Sequence, residues 1–342
     1  GGVHYSLAEA ELAAFAHRFG IPVMETVAGK SSLTADDEAF AGPIGVFAET
    51  DGQEIAWQPD VVLAVGTRLQ DFTTESGTVF KNPDVRLVGL NIGRFDAQKR
   101  GGLPLIGDAR EGLADLAEAL GDWQGPAAWQ EQARDSFARQ EVVRCARQAA
   151  TSDVPPTYAQ VIGAVHEVAT ADDYIVTSSG GLAGELVMNW NSKGIATFDC
   201  EYGFSCMGYE ISGSWGAGME RAVSRPGASV YGFLGDGSFM MLPMDIYSAA
   251  LTGTDITLLV CDNGGFNVIE RLQLGHGAAS FKTMLADSDH PNPPAIDFVA
   301  IARGMGAEAH GVTSLAELSA VLRRTPSVSP RAAKNWKVPA AL

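Results

Sequence analysis

The sequence predicts an α/β protein made of two doubly wound, Rossmann-like domains, each built on a parallel sheet. Three observations support this fold class. Short apolar runs of strand length alternate with amphipathic segments of helix length, which is the pattern of a parallel sheet covered by helices. The chain has 342 residues, enough for two domains of about 150 residues each. Its 46% hydrophobic and 19% charged content is typical of globular proteins.

The first half of the chain alternates between the two kinds of segment. Its strands are runs of Val, Leu, Ala and Gly, and its helices repeat apolar residues every three or four positions. The predicted elements are a helix at 7–19, buried strands at 61–66 and 85–90, and a helix at 109–120. Residues 127–150 are rich in Gln, Arg and Glu, which predicts a solvated helix. Residues 151–156 end in a Pro pair that blocks helix continuation and marks a boundary.

The second half repeats the alternation. The predicted elements are a helix at 158–170, a strand at 174–177, a small-residue helix from about 208, a strand at 229–234, a helix from Pro243 and a strand at 256–261. Pro243 suits the first turn of its helix, and Gly253 lies just past the helix end. The predicted domains are a Rossmann-like domain at 1–125, a helical segment and linker at 126–156, a second domain at 157–324, and a tail without regular structure at 325–342.

The composition excludes several classes of partner. There are 41 acidic and 24 basic residues, and the formal net charge of −17 disfavours nucleic acids and anionic membrane surfaces. No apolar run approaches the ~20 residues of a transmembrane helix. The four cysteines are scattered, with no C-x-x-C pair. This pattern favours the reducing cytoplasm over a disulfide scaffold or a zinc site.

Two familiar phosphate-binding motifs are incomplete. Gly29-Lys30-Ser31 resembles the end of a P-loop, but Met24 occupies the position of the required first glycine. Gly235-Asp236-Gly237 begins like the dinucleotide fingerprint of a Rossmann fold, but Met240 replaces the third glycine. We therefore expect a Rossmann-like fold that binds no NAD.

A βαβ unit between residues 230 and 267 carries the most specific pattern. Its first strand ends in Gly235-Asp236-Gly237-Ser238, and its second strand ends in Asp262-Asn263-Gly264-Gly265-Phe266. The crossover makes the two strands parallel, so Asp236 and Asn263 emerge at the same carboxyl-terminal edge. Open α/β sheets bind their ligands at this edge.

The residue types at this edge suit a divalent cation that is bridged to a diphosphate. Mg²⁺ prefers six oxygen ligands, and Asp236, Asn263 and a backbone carbonyl near Gly265 can supply three of them. Diphosphate oxygens and water would complete the shell. Glycines allow close approach of the backbone, and the N–H groups of Gly237 and Ser238 can donate to phosphate oxygens. Either dipeptide alone is usually an ordinary turn, whereas the pair on neighbouring strands is specific.

The pattern resembles the cofactor motif of the thiamine diphosphate-dependent enzymes, a GDG followed further along by an Asn pair. Asp262 stands where the family has its first Asn. The family's ligand is the second Asn, which Asn263 matches. The resemblance implies that the second domain binds thiamine diphosphate and Mg²⁺, with Asp236, Asn263 and Gly265 as the metal ligands.

A second segment, residues 201–211, resembles the family's loop around the aminopyrimidine ring. The resemblance implies that the Ser205 carbonyl accepts a hydrogen bond from the 4′-amino group. It also implies that Met207 is the apolar prop that bends the cofactor. The cofactor-binding residues implied in full are Gly180, Gly181, Ser205, Met207, Gly235, Asp236, Gly237, Ser238, Asn263, Gly265 and Phe266.

Other stretches narrow the resemblance to the branch of the family that hydrolyses a carbon–carbon bond of a cyclic, polyol-derived dione in inositol breakdown. The likeness extends over about residues 1–323 and rests on residues 65–74, 90–92, 95–97, 201–210 and 271–273. It implies ring opening of the dione to 5-deoxyglucuronate, with the thiazolium ring of the cofactor as electron sink.

The family also carries an N-terminal pyrimidine-binding domain, and its active sites form between subunits of a dimer or tetramer. This sequence resembles the family only after that domain and after the first strand of the central domain. The activating Glu is therefore expected outside this chain, and the catalytic residues are unknown. We expect the chain alone to bind the cofactor weakly and to turn over no substrate. Two alternatives stay open: a lyase or synthase of the acetolactate synthase type, and a non-catalytic cofactor-binding module.

Overall fold

The computed structural model describes residues 1–49, 52–149 and 155–323, together with the backbone of residues 331–337. Most of the predicted boundary segment, residues 151–154, lies outside the described residues. The described residues include no helix that is both long and apolar enough to span a membrane.

Two compact units make up the chain. Unit 1 contains residues 1–146 and 191–196, and unit 2 contains residues 147–190 and those from 197 onward. All pairings between strands in both units are parallel. This confirms the predicted doubly wound α/β class. The domain boundaries predicted at residues 125, 157 and 324 stay predictions.

Unit 1 contains five strands and the helices around them. In chain order its elements are α1 (Gly2–Tyr5), α2 (Glu9–Phe19), β1 (Val23–Glu25), β2 (Phe40–Pro43), α3 (Glu54–Trp57), β3 (Val61–Val65), α4 (Asp71–Thr74), β4 (Arg86–Asn91), α5 (Arg94–Gln98), β5 (Leu103–Ile106), α6 (Ala109–Leu120) and α7 (Ala127–Gln148), which ends in unit 2. The predicted helices and strands of this half are all present. The short strands β1, β2 and β5 carry too few apolar residues for periodicity to reveal them.

The strands of unit 1 form two separate sheets, β1-β2 and β3-β4-β5. The prediction that β3 and β4 are buried was wrong in part. Val61 in β3 is 57% exposed, and Leu87 and Val88 in β4 are half-buried although β4 lies between the other two strands. The described helices therefore cover the faces of this sheet only in part. Residues of β1 and β3 together line an apolar cavity of about 220 Å³. The predicted absence of a first strand from this domain stays a prediction.

A buried ion pair lies just after β1. Lys30 Nζ is 2.7 Å from Glu25 Oε1, and the two side chains are only 2% and 3% exposed. The N–H of Ser31 donates to the other oxygen of Glu25 at 3.0 Å. Lys30 therefore neutralises a buried carboxylate, which gives a structural role to the residue that resembled a P-loop lysine.

Unit 2 contains the remaining elements. They are α8 (Tyr158–Val168), β6 (Tyr174–Thr177), α9 (Gly180–Asn189), β7 (Phe198–Cys200), α10 (Tyr209–Ser224), β8 (Val230–Gly235), α11 (Asp236–Met241), α12 (Asp245–Thr252), β9 (Thr257–Asp262), α13 (Asn267–Gly275), α14 (Phe298–Gly304), β10 (Glu308–Val312), α15 (Leu315–Leu322) and β11 (Arg331–Lys337). The strands β8 and β9 are buried along almost their whole length, as their apolar runs predicted.

The six strands of unit 2 form one sheet in the order β10-β11-β9-β8-β6-β7. From β6 the chain first adds β7 on one side and then returns to add β8 and β9 on the other. The strand order therefore reverses between β6 and β8. A doubly wound sheet leaves a crevice for ligands at such a point, outside the carboxyl ends of the strands.

The helix predicted from Pro243 begins two residues later, and a short helix that was not predicted precedes it. α11 begins at Asp236, directly after β8, and ends at Met241; α12 begins at Asp245. Proline disfavours the helical conformation of the residue before it, so the first helix stops short of Pro243. Gly253 caps α12 with φ +65°, in agreement with its predicted place past the helix end.

The prediction that the tail has no regular structure was wrong for Arg331–Lys337. These residues form β11, which pairs in parallel with β9 on one side and β10 on the other. A strand between two neighbours is held by backbone hydrogen bonds on both edges, which need no apolar alternation in the sequence. The other residues of the predicted tail lie outside the described part of the chain.

Candidate functional site

Two neighbouring strands bring the predicted metal ligands to one edge of the sheet. β8 and β9 pair in parallel, with Gly235 opposite Cys261. Asp236 follows β8 directly, and Asn263 follows the last residue of β9. The predicted βαβ geometry is therefore confirmed, and both side chains lie beside the point where the strand order reverses.

Asp236 is a buried carboxylate at this edge, only 5% exposed. Its Oδ2 accepts a hydrogen bond from the N–H of Gly265 at 2.8 Å, which ties the turn after β9 to the end of β8. Burial and the nearby Asp262 carboxylate raise the pKa of Asp236 to about 6. A cation beside Asp236 would oppose both effects and favour the ionised form.

Asn263 presents an oxygen that has no hydrogen-bond partner in the described part of the chain. Its amide Nδ2 donates to the Tyr158 hydroxyl oxygen at 2.7 Å. Its Oδ1 is buried and has no hydrogen-bond partner among the described residues. An unsatisfied buried acceptor costs about 1–3 kcal/mol. A divalent cation would remove that cost, so the residue set fits the predicted Mg²⁺.

The turn after β9 is held by a neighbouring segment. Phe266 N–H donates to the Thr283 carbonyl, and Leu285 N–H donates to the Gly264 carbonyl, both at 2.9 Å. Between these two bonds Gly265 has φ +146°, and a Cβ on it would lie 2.6 Å from the Thr283 oxygen. Only glycine fits this position without moving the backbone. The predicted carbonyl ligand therefore belongs to a tightly fixed turn.

We expect Gly265→Ala to destabilise unit 2 and to weaken cation binding, because the new methyl group must displace residues 283–284. Left-handed backbone alone costs about 1–2 kcal/mol for a residue with a Cβ. Gly264→Ala is the matched control, since Gly264 has φ +80° but open space around its Cβ position. Chemical unfolding should therefore show a larger loss of stability for Gly265→Ala. Equal losses for the two variants would contradict the steric argument.

Three predicted site residues from separate segments meet at Gly237. A Cβ built on Gly237 would lie 2.7 Å from Phe266 Cε1 and 3.2 Å from Met207 Cε. Met207 is half-buried. The contact brings the predicted prop next to the predicted diphosphate turn, while its role as a prop stays a prediction.

The loop before Met207 is wrapped around a carboxylate. Glu201 accepts from the N–H groups of Phe204 at 3.0 Å and Cys206 at 2.8 Å. Burial opposes ionisation of Glu201, but these bonds outweigh it and lower its pKa. Ser205, between them, has the left-handed φ of +54°. Such strain costs about 1–3 kcal/mol and is concentrated at functional sites. The role of the Ser205 carbonyl stays a prediction.

A second carboxylate, Glu210, is fully buried behind the same loops. Its Oε2 accepts from Gly208 N–H at 2.8 Å, and the Ser238 hydroxyl and Ser179 N–H also face it. Burial raises the pKa of Glu210 despite these donors. The Ser238 side chain is therefore directed to Glu210, which leaves only its N–H for the predicted diphosphate contact.

Gly180 and Gly181 lie at the carboxyl end of β6, the strand that neighbours β8. They form the first turn of α9 after the N-cap Ser179. Gly180 has φ +78° with open space around its Cβ position, and a Cβ on Gly181 would lie 3.8 Å from Val268 in α13. Their predicted contact with the diphosphate stays a prediction.

A cavity of about 380 Å³ adjoins the predicted site. Asp236, Gly237, Gly265 and Phe266 form part of its wall, and residues 282–285 and 287–288 form another part. No group of three or more His, Cys, Asp or Glu side chains suited to a metal occurs in the described residues. A cation here would rest on one carboxylate, one amide and backbone or ligand oxygens, as predicted for Mg²⁺.

Two residues beside the site were missed by the sequence analysis. Tyr158 is separated from its partner Asn263 by 105 positions, so no local spacing connects them. Glu210 lies inside the segment that resembled the family's pyrimidine loop, and the apolar residues around it offered a signal that it is buried.

Two parts of the chain match domain families of one enzyme class. Residues 1–116 match the central domain of the thiamine pyrophosphate enzymes, and residues 182–330 match their C-terminal TPP binding domain. Thiamine pyrophosphate is another name for thiamine diphosphate. Together the two matches cover more than half of the sequence, and the chain belongs to the thiamine pyrophosphate enzyme family.

Within this family the chain is similar to proteins named 3D-(3,5/4)-trihydroxycyclohexane-1,2-dione hydrolase. It is 33% identical over 351 residues to the one from Clostridium botulinum (strain Alaska E43 / Type E3). It is 34% identical over 352 residues to the one from Bacillus cereus (strain AH820). Each alignment covers 94% of this chain and 54% of the relative, so the chain spans about half the length of these proteins.

Proposed function

We propose that this chain is the cofactor-binding part of a thiamine diphosphate- and Mg²⁺-dependent carbon–carbon hydrolase. Its substrate would be 3D-(3,5/4)-trihydroxycyclohexane-1,2-dione and its product 5-deoxyglucuronate, in myo-inositol breakdown in the cytoplasm. The names of the relatives support the substrate. The family match supports the cofactor.

One observation carries the proposed metal site. The Asn263 Oδ1 is a buried acceptor to which no described residue donates, and Asn263 follows the strand next to the one that Asp236 follows. In this proposal Asp236, Asn263 and the Gly265 carbonyl hold Mg²⁺, and the Gly237 and Ser238 N–H groups bind the diphosphate. These groups fix the charged end of the cofactor at the sheet edge.

Other residues would orient the reactive end of the cofactor. Met207 would support its bent form, and the Ser205 carbonyl would hold the amino group of its pyrimidine ring. The bound cofactor supplies the thiazolium ring that accepts electrons when a carbon–carbon bond of the dione is cleaved. The protein would position the cofactor, and water, the second reactant of the hydrolysis, would release the acid.

The proposed partner surface lies on α11, α12 and the turn between them, and its occupant would be the pyrimidine-binding domain of a partner subunit in a dimer or tetramer. This surface exposes large apolar side chains: Met240, Met241, Leu242, Met244, Tyr247 and Leu251 are between 46% and 68% exposed. Exposed apolar clusters on this scale are typical of interaction sites. Met240 and Met241 also line the cavity beside Asp236.

A reconstitution experiment tests the proposal. The 342-residue protein, Mg²⁺ and thiamine diphosphate are incubated with the dione, with and without the pyrimidine-binding domain of a related thiamine enzyme. We expect 5-deoxyglucuronate, detected by NMR, only when that domain is present, because the family's activating Glu lies there. Hydrolysis by the chain alone would contradict the proposed division of the active site.

The same assay separates the two alternatives. Turnover of pyruvate in place of the dione would favour a lyase or synthase of the acetolactate synthase type. Mg²⁺-dependent cofactor binding, without turnover of either substrate in the presence of the added domain, would favour a non-catalytic binding module. Failure to bind thiamine diphosphate at any Mg²⁺ concentration would contradict all three.

A further inference from the structure

Tyr158 contacts the proposed metal site but has no role in the function described above. It is the first residue of α8, and its hydroxyl oxygen lies 2.7 Å from Asn263 Nδ2. The Asp236 carboxylate is one of the groups that raise the pKa of the Tyr158 hydroxyl, after burial and Cys261. Tyr158 is therefore close to both side chains that would bind the cation.

The start of α8 holds Tyr158 in a fixed place. Thr157 and Gln160 form a complete capping box, in which each side chain bonds to the backbone N–H of the other residue. The two bonds measure 3.3 and 3.0 Å. Ala159 and Gln160 are each only 5% exposed. A helix start fixed in this way gives the tyrosine ring little freedom to follow a moving partner.

The hydrogen bond from Asn263 determines what the other end of its amide can do. An amide has one donor end and one acceptor end. The donor end is bonded to Tyr158, and the acceptor end, Oδ1, is buried with no partner among the residues that the structure describes. A cation on Oδ1 would polarise the amide and strengthen the hydrogen bond from Nδ2 to the Tyr158 hydroxyl. The cation contact and the hydrogen bond would therefore stabilise each other.

We infer that Tyr158 is a positioning residue for the cation: it holds the Asn263 amide so that Oδ1 points to Mg²⁺. This inference rests on the proposed function, since it assumes that Asn263 is a ligand. Partners of metal ligands commonly contribute about 10–100-fold to metal affinity.

Tyr158→Phe tests the inference because it removes the hydroxyl and keeps the ring. With thiamine diphosphate present, we expect the affinity of the protein for Mn²⁺, measured by electron paramagnetic resonance, to fall by about 10–100-fold. Excess Mg²⁺ should restore cofactor binding. The metal-free melting temperature should fall by no more than about 12 °C, because the Asn263 Nδ2 left without a partner costs about 1–3 kcal/mol. Tyr174→Phe is the matched control. Tyr174 is the first residue of β6 and lies at the amino end of that strand, away from the carboxyl edge that carries the proposed site. This variant should leave Mn²⁺ affinity unchanged.

A double-mutant cycle keeps the inference testable if the single variant loses stability. In an Asn263→Ala background, Tyr158→Phe should cause no further loss of Mn²⁺ affinity, because the residue acts only through Asn263. An equal loss in both backgrounds, or wild-type affinity in Tyr158→Phe, would overturn the inference. Absence of Mg²⁺-dependent cofactor binding in the wild type would instead contradict the proposed function.

Discussion

Asp236→Asn is expected to abolish Mg²⁺-dependent binding of thiamine diphosphate. The variant keeps an acceptor for the Gly265 N–H, which Asp236 now binds at 2.8 Å, but removes the only carboxylate assigned to the metal. Loss of a residue that only hydrogen-bonds to a metal ligand costs about 10–100-fold in metal affinity. Loss of a charged ligand itself should therefore cost about 100-fold or more. Isothermal titration of the 342-residue protein with thiamine diphosphate, with and without Mg²⁺, measures the effect.

Asp262→Asn is the matched control, because it makes the same change at the end of the neighbouring strand. Asp262 accepts from Gly264 N–H at 3.1 Å, a bond that an Asn oxygen can also accept. It also raises the pKa of Asp236 through its charge. We expect cofactor affinity within about threefold of the wild type, as for a weak surface charge interaction. Mg²⁺-dependent binding by Asp236→Asn that matched this control would refute the assignment of Asp236 as a ligand.

Lys30→Met is expected to destabilise unit 1 by about 3–5 kcal/mol, since it leaves Glu25 as an unpaired buried charge. Both side chains of the pair are almost completely excluded from solvent. Methionine has a similar length and can occupy the same space. Chemical unfolding, with hydrogen exchange to identify the transition of unit 1, measures the loss.

Two controls make this second test specific. Arg139→Met removes an exposed ion pair with Glu54 of similar length, 2.8 Å, and should cost less than about 1 kcal/mol. Adding Glu25→Leu to Lys30→Met should recover part of the stability, because it removes the unpaired charge. A Lys30→Met protein as stable as Arg139→Met would show that Lys30 and Glu25 are not coupled in the folded state.

The apolar runs predicted most of the larger elements within a few residues. Residues 109–120 and 174–177 form the predicted helix and strand without any shift of boundary. Such runs are informative because an amphipathic helix repeats apolar residues every three or four positions, and a buried strand is a continuous apolar run. The three-residue strands β1 and β7 were not predicted, since so few positions cannot establish a period.

The sequence also predicted which side chains lie at the ligand-binding edge. Asp236 and Asn263 each follow a buried strand, and parallel pairing brings the ends of neighbouring strands together. What could not be predicted is how these side chains are held. The Gly265 N–H bonds to Asp236, and the Tyr158 hydroxyl contacts Asn263. Contacts of this kind join segments that have no common motif.

The sequence by itself determined the α/β class, the βαβ unit and the oxygen-bearing residues at its strand ends, because all three follow from local periodicity and turn chemistry. Only the tertiary structure decided that β3 is partly exposed, that residues 331–337 pair between β9 and β10, and that Asn263 Oδ1 has no partner among the described residues. The physical reason is that burial and hydrogen-bond satisfaction depend on every segment packed around a residue. Those neighbours are distant in the chain and are chosen by the fold.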